Sequence, residues 1–225
     1  ATAGAVEEGV VGGGTGMVCN GFKGGIGTAS RQVEVQGEQY MVGVLVQCNY
    51  NWGGDSLRLG GKPVSDRLPV GQHCFTDRSI NRHADYYPYC DQLEVNARTT
   101  STPEGSIIIV VATDAPLLPH QLRRVAKRPA LALGRLGAIS GAGSGDIFVA
   151  FSTANAARIS EYEFTNIDAY PNDRLNTVFA ATVQATEEAI VNAMVAAETV
   201  IGVSGLRIAE MPEEQVRAIF NRKSN

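Results

Sequence analysis

Residues 106–113 read Ser-Ile-Ile-Ile-Val-Val-Ala-Thr, an uncharged run dominated by β-branched side chains. Such a run is typical of a strand at the centre of a sheet. The residues before it differ, because 51–103 are rich in Asp, Arg, Gly, Pro and aromatic residues and have no sustained hydrophobic period. Irregular segments of this length are uncommon unless they are functional or disordered. We therefore expect 51–103 to be a long surface excursion and the ordered core to resume at Ser106.

Other segments supply the partners of this strand. The alternation in 32–36 and the apolar run in 40–47 predict two strands joined at Gly37-Glu38, the second one buried on both faces. Further elements are a short buried strand at 146–152, a helical stripe at 119–136 bent by Pro129, a clear helix at 175–197 and a last helix from Pro212. This order of elements predicts an α/β or α+β protein with layered helices and sheet.

Composition narrows the class of protein. The chain has 225 residues, of which 44% are hydrophobic and 19% charged, so it can bury a core and is not a disordered chain. The formal charge of −4 is mild, and the apolar runs are short or interrupted by charge, so we expect neither a nucleic-acid nor a membrane partner. The chain opens at Ala1 without Met and without the pattern of a signal peptide, so we expect an N-terminal portion to be missing.

Glycine is abundant, at 25 residues, but does not indicate a nucleotide site. The two early clusters, at 12–16 and 23–27, fit neither the dinucleotide nor the phosphate-loop pattern. Close backbone approach and turns with positive φ account for such glycines without a ligand. We expect no cofactor.

Cysteine and histidine do not form a recognisable metal site either. The ligand-type residues of the excursion match no zinc-finger or zinc-ribbon spacing; they are His73, Cys74, His83 and Cys90. We expect no metal and interpret them mainly as solvated loop residues, with a Cys74–Cys90 disulfide if the protein is exported. Cys19 and Cys48 lie on apolar segments and are interpreted as small buried hydrophobes.

A Ser-His-Asp triad is poorly supported. Gly143-Ser144-Gly145 resembles part of a nucleophile elbow, but Ala142 and Asp146 stand where that motif needs glycine. His120 lies at a predicted helix start, where an exposed surface histidine is the simpler interpretation.

The junction of Gly105 and Ser106 suits a different chemistry. A serine at the start of a central strand, preceded by glycine, is the arrangement of an N-terminal nucleophile. Its hydroxyl attacks the preceding carbonyl, the resulting ester hydrolyses, and the new α-amine then serves the same hydroxyl as a base. A free α-amine has a pKa of about 7.7–8, which suits a base at neutral pH. An ordinary loop-to-strand junction remains the alternative for so short a pattern.

A series of motifs along the chain resembles a known family. The motifs occur in order as Val11-Gly-Gly-Gly-Thr-Gly16, Gly21-Phe-Lys-Gly-Gly-Ile-Gly-Thr-Ala-Ser-Arg31, Val42-Gly-Val-Leu-Val-Gln47, Gly105-Ser106, Ala112-Thr-Asp-Ala-Pro-Leu117 and Gly143-Ser-Gly-Asp146. This looks like the family of the L-aminopeptidase D-amidase/D-esterases and β-peptidyl aminopeptidases. The resemblance covers nearly all of 1–50 and 103–225.

The resemblance implies a fold and a maturation step. The fold is an α+β four-layer αββα sandwich of the N-terminal-nucleophile type, with its own strand connectivity. Self-cleavage between Gly105 and Ser106 would leave 1–105 as the C-terminal part of an α chain, with an insert at 51–103, and 106–225 as a β chain. The two chains would stay together as one folded domain, and we expect a homo-oligomer, a tetramer or larger.

The resemblance also assigns roles. Ser106 is the nucleophile and Asn49 matches an asparagine whose side-chain amide helps to form the oxyanion hole. Ser144 is assigned to orientation and proton relay, and Asp146 to holding Ser144 and the positive charge of an amine. The i, i+2 spacing of Ser144 and Asp146 on a strand would place both on one face. A loop-end carboxylate that caps the turn is the plainer interpretation of Asp146.

We therefore predict a self-cleaving serine aminopeptidase or amidase that releases an N-terminal residue from short peptides, amides or esters. One alternative is an acyltransferase of the ornithine acetyltransferase type, although those prefer a threonine nucleophile. Another is a non-catalytic metal-binding protein organised around the Cys/His insert. Two departures stand out: the family's chain begins more than a hundred residues earlier, and 51–103 is longer than expected. The expected location is the cytoplasm, with the periplasm as the alternative.

Overall fold

A computed structural model describes residues 4–79, 87–93, 105–156, 164–203 and 205–221. The strands are Val18–Cys19 (β1), Phe22–Lys23 (β2), Ile26–Val35 (β3), Glu38–Asn49 (β4), Arg58–Leu59 (β5), Lys62–Pro63 (β6), Cys74–Phe75 (β7), Ser106–Thr113 (β8), Ile147–Ser152 (β9), Val200–Ile201 (β10) and Leu206–Ile208 (β11). The α-helices are Pro119–Val125 (α1), Pro129–Arg135 (α2), Leu175–Val195 (α3) and Glu213–Asn221 (α4), and a 3₁₀ turn spans Gly12–Gly16.

The main sheet has the strand order β3-β4-β8-β9. β4 is antiparallel to both β3 and β8, whereas β8 and β9 run parallel and are connected through α1 and α2. The strand predicted to be central is indeed an inner strand. The predicted bend at Pro129 is a break, because Pro129 is the first residue of α2 rather than a kink within one helix.

One face of this sheet is covered by α3, and we call it the closed face. Its side chains include Val44, Val46, Ile109 and Val111, each at most 3% exposed. The helix lies very close to β3, since a Cβ on Gly27 would stand 2.0 Å from the Ala189 carbonyl oxygen. Glycine is required there because any side chain would push α3 off the sheet.

The other face, which we call the open face, is partly exposed. Ile108 on β8 is 40% exposed, and Ile147, Val149 and Phe151 on β9 are 44–52% exposed. The strands predicted at 40–47 and 146–152 correspond to β4 and β9, but the prediction that these strands are buried was wrong for both. β4 alternates buried and half-buried residues, and β9 is an edge strand in the described sheet with no fully buried residue.

The start of the predicted excursion is not a surface loop. Leu57, Val64 and Val70 are at most 1% exposed and belong to the core, and β7 pairs with β11 in a small sheet. The prediction failed because buried residues here are separated by turns rather than placed at a regular period. Residues 80–86 and 94–104, including His83, lie outside the described residues.

The cysteines are paired. Cys74 is bonded to Cys90, which was the alternative for an exported protein, so the main interpretation of these two residues as solvated loop residues was wrong. Cys19 is bonded to Cys48 across a Cα–Cα distance of 5.5 Å. The interpretation of Cys19 and Cys48 as simple hydrophobes was incomplete: both are fully buried, but as a disulfide. In the part of the chain that the structure describes, no helix combines the length and the apolar character that crossing a bilayer requires.

Candidate active site

Ser106 and Asn49 are direct neighbours across the main sheet. Ser106 is the first residue of β8, Asn49 is the last residue of β4, and the antiparallel register pairs the two. Directly opposite residues place their Cβ atoms about 4.5–5.5 Å apart on one face of a sheet. The fold therefore brings the predicted nucleophile and the predicted oxyanion donor together on the open face, at one end of the sheet.

The loop before β9 contacts the start of β8 at two points. The Gly145 N–H donates to Ser106 Oγ over 2.8 Å, and the Ile107 N–H donates to Asp146 Oδ1 over 3.1 Å. The parallel pairing of β8 with β9 sets this alignment, since Ile108 lies opposite Ile147. A donor at Ser106 Oγ stabilises negative charge on that oxygen, which favours its use as a nucleophile.

Ser144 lies in the same loop but does not share a strand with Asp146. Both precede the first residue of β9, so the expectation that strand geometry aligns them was wrong. The glycines at 143 and 145 flank Ser144 here, and the Ser144 N–H donates to the Gly141 carbonyl over 2.9 Å. Among the described residues, no hydrogen bond joins Ser144 to Ser106.

The Asn49 side chain is held by the β1 segment. The Val18 N–H donates to Asn49 Oδ1 over 3.0 Å, which holds the side-chain amide in one orientation. The next residue is tied to the same segment, because the Asn20 N–H donates to the Tyr50 carbonyl over 2.9 Å. The Cys19–Cys48 disulfide lies between these two contacts. Asn49 is thus fixed by its neighbours before any substrate binds.

Gly105 occupies a backbone conformation that few other residues could adopt. Its φ is +122°, and a Cβ there would lie 2.3 Å from the Asn49 carbonyl oxygen. The residue before the predicted nucleophile is therefore wedged against β4 with no room for a side chain.

A cavity of about 270 Å³ opens beside Gly105. Ser144 and Asp146 contribute to its polar side, and Tyr50, Leu133 and Ile139 to its apolar side. Burial raises the pKa of Tyr50, whose hydroxyl oxygen accepts a hydrogen bond from Asn20 Nδ2 over 3.1 Å. Tyr50 is therefore a neutral wall of the cavity and not a base at ordinary pH.

Lys23 is a buried charge that sequence reasoning missed. It is 2% exposed, and its Nζ donates to the carbonyl oxygens of Gly14, Met17 and Gly24 over 3.1, 2.6 and 2.7 Å. Burial lowers its pKa to about 8. A signal was present in the sequence, since Lys23 is the only charged residue in 9–30.

The other candidate residues do not join this site. With all four cysteines in disulfides, their sulfurs do not act as metal ligands, and the described residues contain no cluster of metal-ligating side chains. His73 is fully buried rather than solvated, with its Nδ1 unpaired, and His120 is exposed on α1.

The fold class follows from solved structures. This chain is similar to an L-aminopeptidase D-Ala-esterase/amidase of Ochrobactrum anthropi, a prototype for the serine aminopeptidases whose structure is a new variant of the Ntn hydrolase fold. That structure superposes with a TM-score of 0.77, is 39% identical, and matches 98% of this chain and 54% of its own. A β-aminopeptidase of Burkholderia sp. has a TM-score of 0.74 and 36% identity, over 100% of this chain and 56% of its own. The predicted sandwich class is confirmed.

The family can be stated as well. The model of peptidase family S58 matches residues 1–208, and this chain belongs to that family. The β-peptidyl aminopeptidase BapA of Sphingosinicella microcystinivorans is 47% identical over 99% of this chain and 53% of its own length. The resemblance predicted from the sequence is thus confirmed, and the chain spans about half the length of the curated relatives that it matches.

Proposed function

We propose that this chain forms the catalytic part of a self-cleaving serine aminopeptidase or amidase. The observation that carries the proposal is the geometry around Ser106: its Oγ accepts the Gly145 N–H, Asn49 is its cross-strand neighbour, and Gly105 precedes it in a conformation reserved for glycine. Family membership and the names of the relatives support the same activity class.

The first step is maturation. Ser106 Oγ attacks the carbonyl carbon of Gly105, the C–N bond between the two residues breaks, and the hydroxyl proton passes to the departing nitrogen. Water then hydrolyses the ester, which leaves a carboxylate on Gly105 and a free α-amine on Ser106. Residues 1–105 and 106–225 become two chains that remain associated, since β4 and β8 are paired along eight positions of the sheet.

The second step is hydrolysis of a substrate. The α-amine of Ser106 takes the Oγ proton as Oγ attacks the substrate carbonyl, and it returns the proton to the leaving amine. Asn49 Nδ2 donates to the oxyanion, an interaction that can stabilise the transition state by about 3–4 kcal/mol. Ser144 orients the proton transfer, and Asp146 balances the positive charge of an amine. Water cleaves the acyl-enzyme.

The position of Gly105 suggests where the substrate lies. In maturation the attacked carbonyl belongs to Gly105, and in turnover the substrate's acyl carbonyl takes the same place before Ser106 Oγ. The cavity beside Gly105 would then receive the released N-terminal residue, with its side chain against Tyr50, Leu133 and Ile139. The curated relatives are named β-peptidyl aminopeptidases, which favours peptide substrates with an N-terminal β-amino acid.

An intact mass spectrum of the purified protein tests the proposal. Two polypeptides that part after Gly105 are expected, and Ser106→Ala should abolish both the splitting and the hydrolysis. A wild-type chain that stays intact for days would refute self-processing, and normal turnover by Ser106→Ala would refute the nucleophile. β-Alanyl, L-alanyl and D-alanyl amides define the substrate class, and transfer of the acyl group to an added amine would indicate an acyltransferase instead.

Assembly and location belong to the same proposal. We expect a homo-oligomer, which light scattering of the matured protein would measure. The two disulfides favour the periplasm over the cytoplasm, because structural disulfides persist mainly in oxidising compartments. Thiol labelling of the protein in fractionated cells would distinguish the two locations, since a cytoplasmic protein should present four free thiols after denaturation and a periplasmic one none.

A further inference from the structure

The ammonium of Lys23 lies in a place where a charge is expensive to keep. It is almost completely excluded from water, and its three hydrogen-bond acceptors are all neutral main-chain carbonyls. Burial of an ion without a charged partner is unfavourable, and the lowered pKa of this group reflects that. An uncharged side chain at position 23 would avoid this cost of burial, so we expect the charge of Lys23 to have a function.

One peptide unit connects Lys23 to the candidate site. The carbonyl oxygen of Met17 accepts the Lys23 Nζ proton over 2.6 Å, and the N–H of the same peptide unit, that of Val18, donates to Asn49 Oδ1 over 3.0 Å. Val18 is also the register partner of Lys23 in the β1–β2 pair. The contacts thus run without a break from a buried cation to the amide of Asn49.

This series of hydrogen bonds has both an electronic and a geometric effect on the Asn49 amide. A cation at a carbonyl oxygen polarises the peptide and strengthens its N–H as a donor. The strengthened N–H in turn withdraws electrons from Asn49 Oδ1, so the Asn49 Nδ2–H bonds become better donors. The same contacts hold the amide plane in one orientation, which avoids reorganisation when negative charge develops nearby.

We propose that Lys23 is a positioning residue that orients and polarises the Asn49 amide through the Met17–Val18 peptide, and so strengthens the oxyanion hole. This inference rests on the proposed function, which assigns Asn49 to the oxyanion. Lys23 does not touch the reacting atoms. Its effect should reach the transition state only through Asn49. This dependence on Asn49 distinguishes the proposed role from that of a lysine that only stabilises the glycine-rich turn.

A double-mutant cycle tests this route. Lys23→Met should lower kcat and the rate of splitting after Gly105 about tenfold, a fraction of the 10²–10³-fold loss typical when an oxyanion donor is removed, and should leave KM unchanged. In an Asn49→Ala background the same substitution should change neither rate, because the amide through which Lys23 acts is gone. An equal loss in both backgrounds would assign Lys23 to folding alone and overturn the inference.

A matched control accounts for loss of stability. Gln121 on α1 is also buried, its Nε2 donates to the Tyr170 carbonyl over 2.8 Å, and it is not part of the site. Gln121→Met should lower the melting temperature as Lys23→Met does while kcat stays at the wild-type value. A comparable fall of kcat in Gln121→Met would show that lost stability explains the effect of Lys23→Met.

A second variant keeps the inference testable if Lys23→Met does not fold. Lys23→Gln retains N–H donors without the charge, and it should show the same fall of kcat that disappears with Asn49→Ala. Loss of folding in both variants would contradict the proposed role. A wild-type protein that neither splits nor hydrolyses any substrate would refute the proposed function instead, so the two failures are distinguishable.

Discussion

The two faces of the β3-β4-β8-β9 sheet are built from the same strands but differ in their surroundings. On the closed face, where α3 lies against β3 and β4, the side chains are excluded from water, and Ile109 on β8 belongs to the same buried core at 0% exposure. On the open face their immediate neighbours remain half-exposed, as Ile108 illustrates at 40%. Asn49 and Ser106 both belong to the open face. Successive side chains of a strand point to opposite faces of the sheet. The residues on one face therefore stabilise the fold, and those on the other face are accessible to a substrate.

The largest expected effect tests the closed face. Ile109→Ala should lower the free energy of unfolding by about 2–5 kcal/mol, because it leaves a cavity in the buried core to which Ile109 belongs. Ile108→Ala removes the same atoms from a half-exposed position and should lower it by clearly less. Urea unfolding of both variants measures the difference. Equal losses would mean that the open face is covered in the whole protein and that the two faces are energetically alike.

Asn49→Ala tests the end of the open face at which the candidate active site lies. Removal of an oxyanion donor is expected to lower kcat about 10²–10³-fold. The melting temperature should change little compared with Ile109→Ala, since Asn49 is only half-buried. Steady-state kinetics with a β-alanyl amide and a thermal melt provide both values. Unchanged kcat would remove Asn49 from the catalytic assignment.

Gly105→Ala tests the junction at which the site begins. The new Cβ would overlap the Asn49 carbonyl oxygen, so the scissile carbonyl must shift relative to Ser106 Oγ. A misplacement of about 1 Å can slow a reaction about 10²-fold. Mass spectrometry over time should show slower splitting of the chain. Gly134→Ala on α2, where a Cβ would meet no atom within 4 Å, is the matched control and should split at the wild-type rate.

The smallest expected effect concerns the buried histidine of the segment after β4. Burial lowers the pKa of His73 below its value in the unfolded chain, which is about 6.5. As the pH falls through that value, the unfolded chain takes up a proton that the native state does not, so the free energy of unfolding falls. His73→Phe should flatten this dependence as the pH falls below about 6.5, measured by urea unfolding.

His120 offers the matched control for that measurement. It is the same residue type at an exposed position on α1, so the comparison of His120→Phe with His73→Phe isolates the contribution of burial. If the His120 variant flattened the profile and the His73 variant did not, the buried histidine would not be the group responsible.

Much of the fold was readable from local patterns. The β-branched run at 106–113 and the periodic stretch at 175–197 predicted β8 and α3, because strand and helix periods are properties of adjacent residues. Burial was harder to read. An apolar run indicates that a strand is hydrophobic but not which of its faces is covered, and so β4 and β9 were taken to be more buried than they are.

The sequence by itself determined the residue types of the site and the family to which they point: Gly105 before Ser106, Asn49 after an apolar strand, and Ser144 and Asp146 in a glycine-rich loop. Only the tertiary structure decided which atoms meet. The contact between Ser106 and Gly145 joins residues 39 apart, and the contact between Val18 and Asn49 joins residues 31 apart. Such contacts depend on strand pairing and register, which no local period encodes. For the same reason Lys23 is connected to Asn49, through the Met17–Val18 peptide, only in the folded chain.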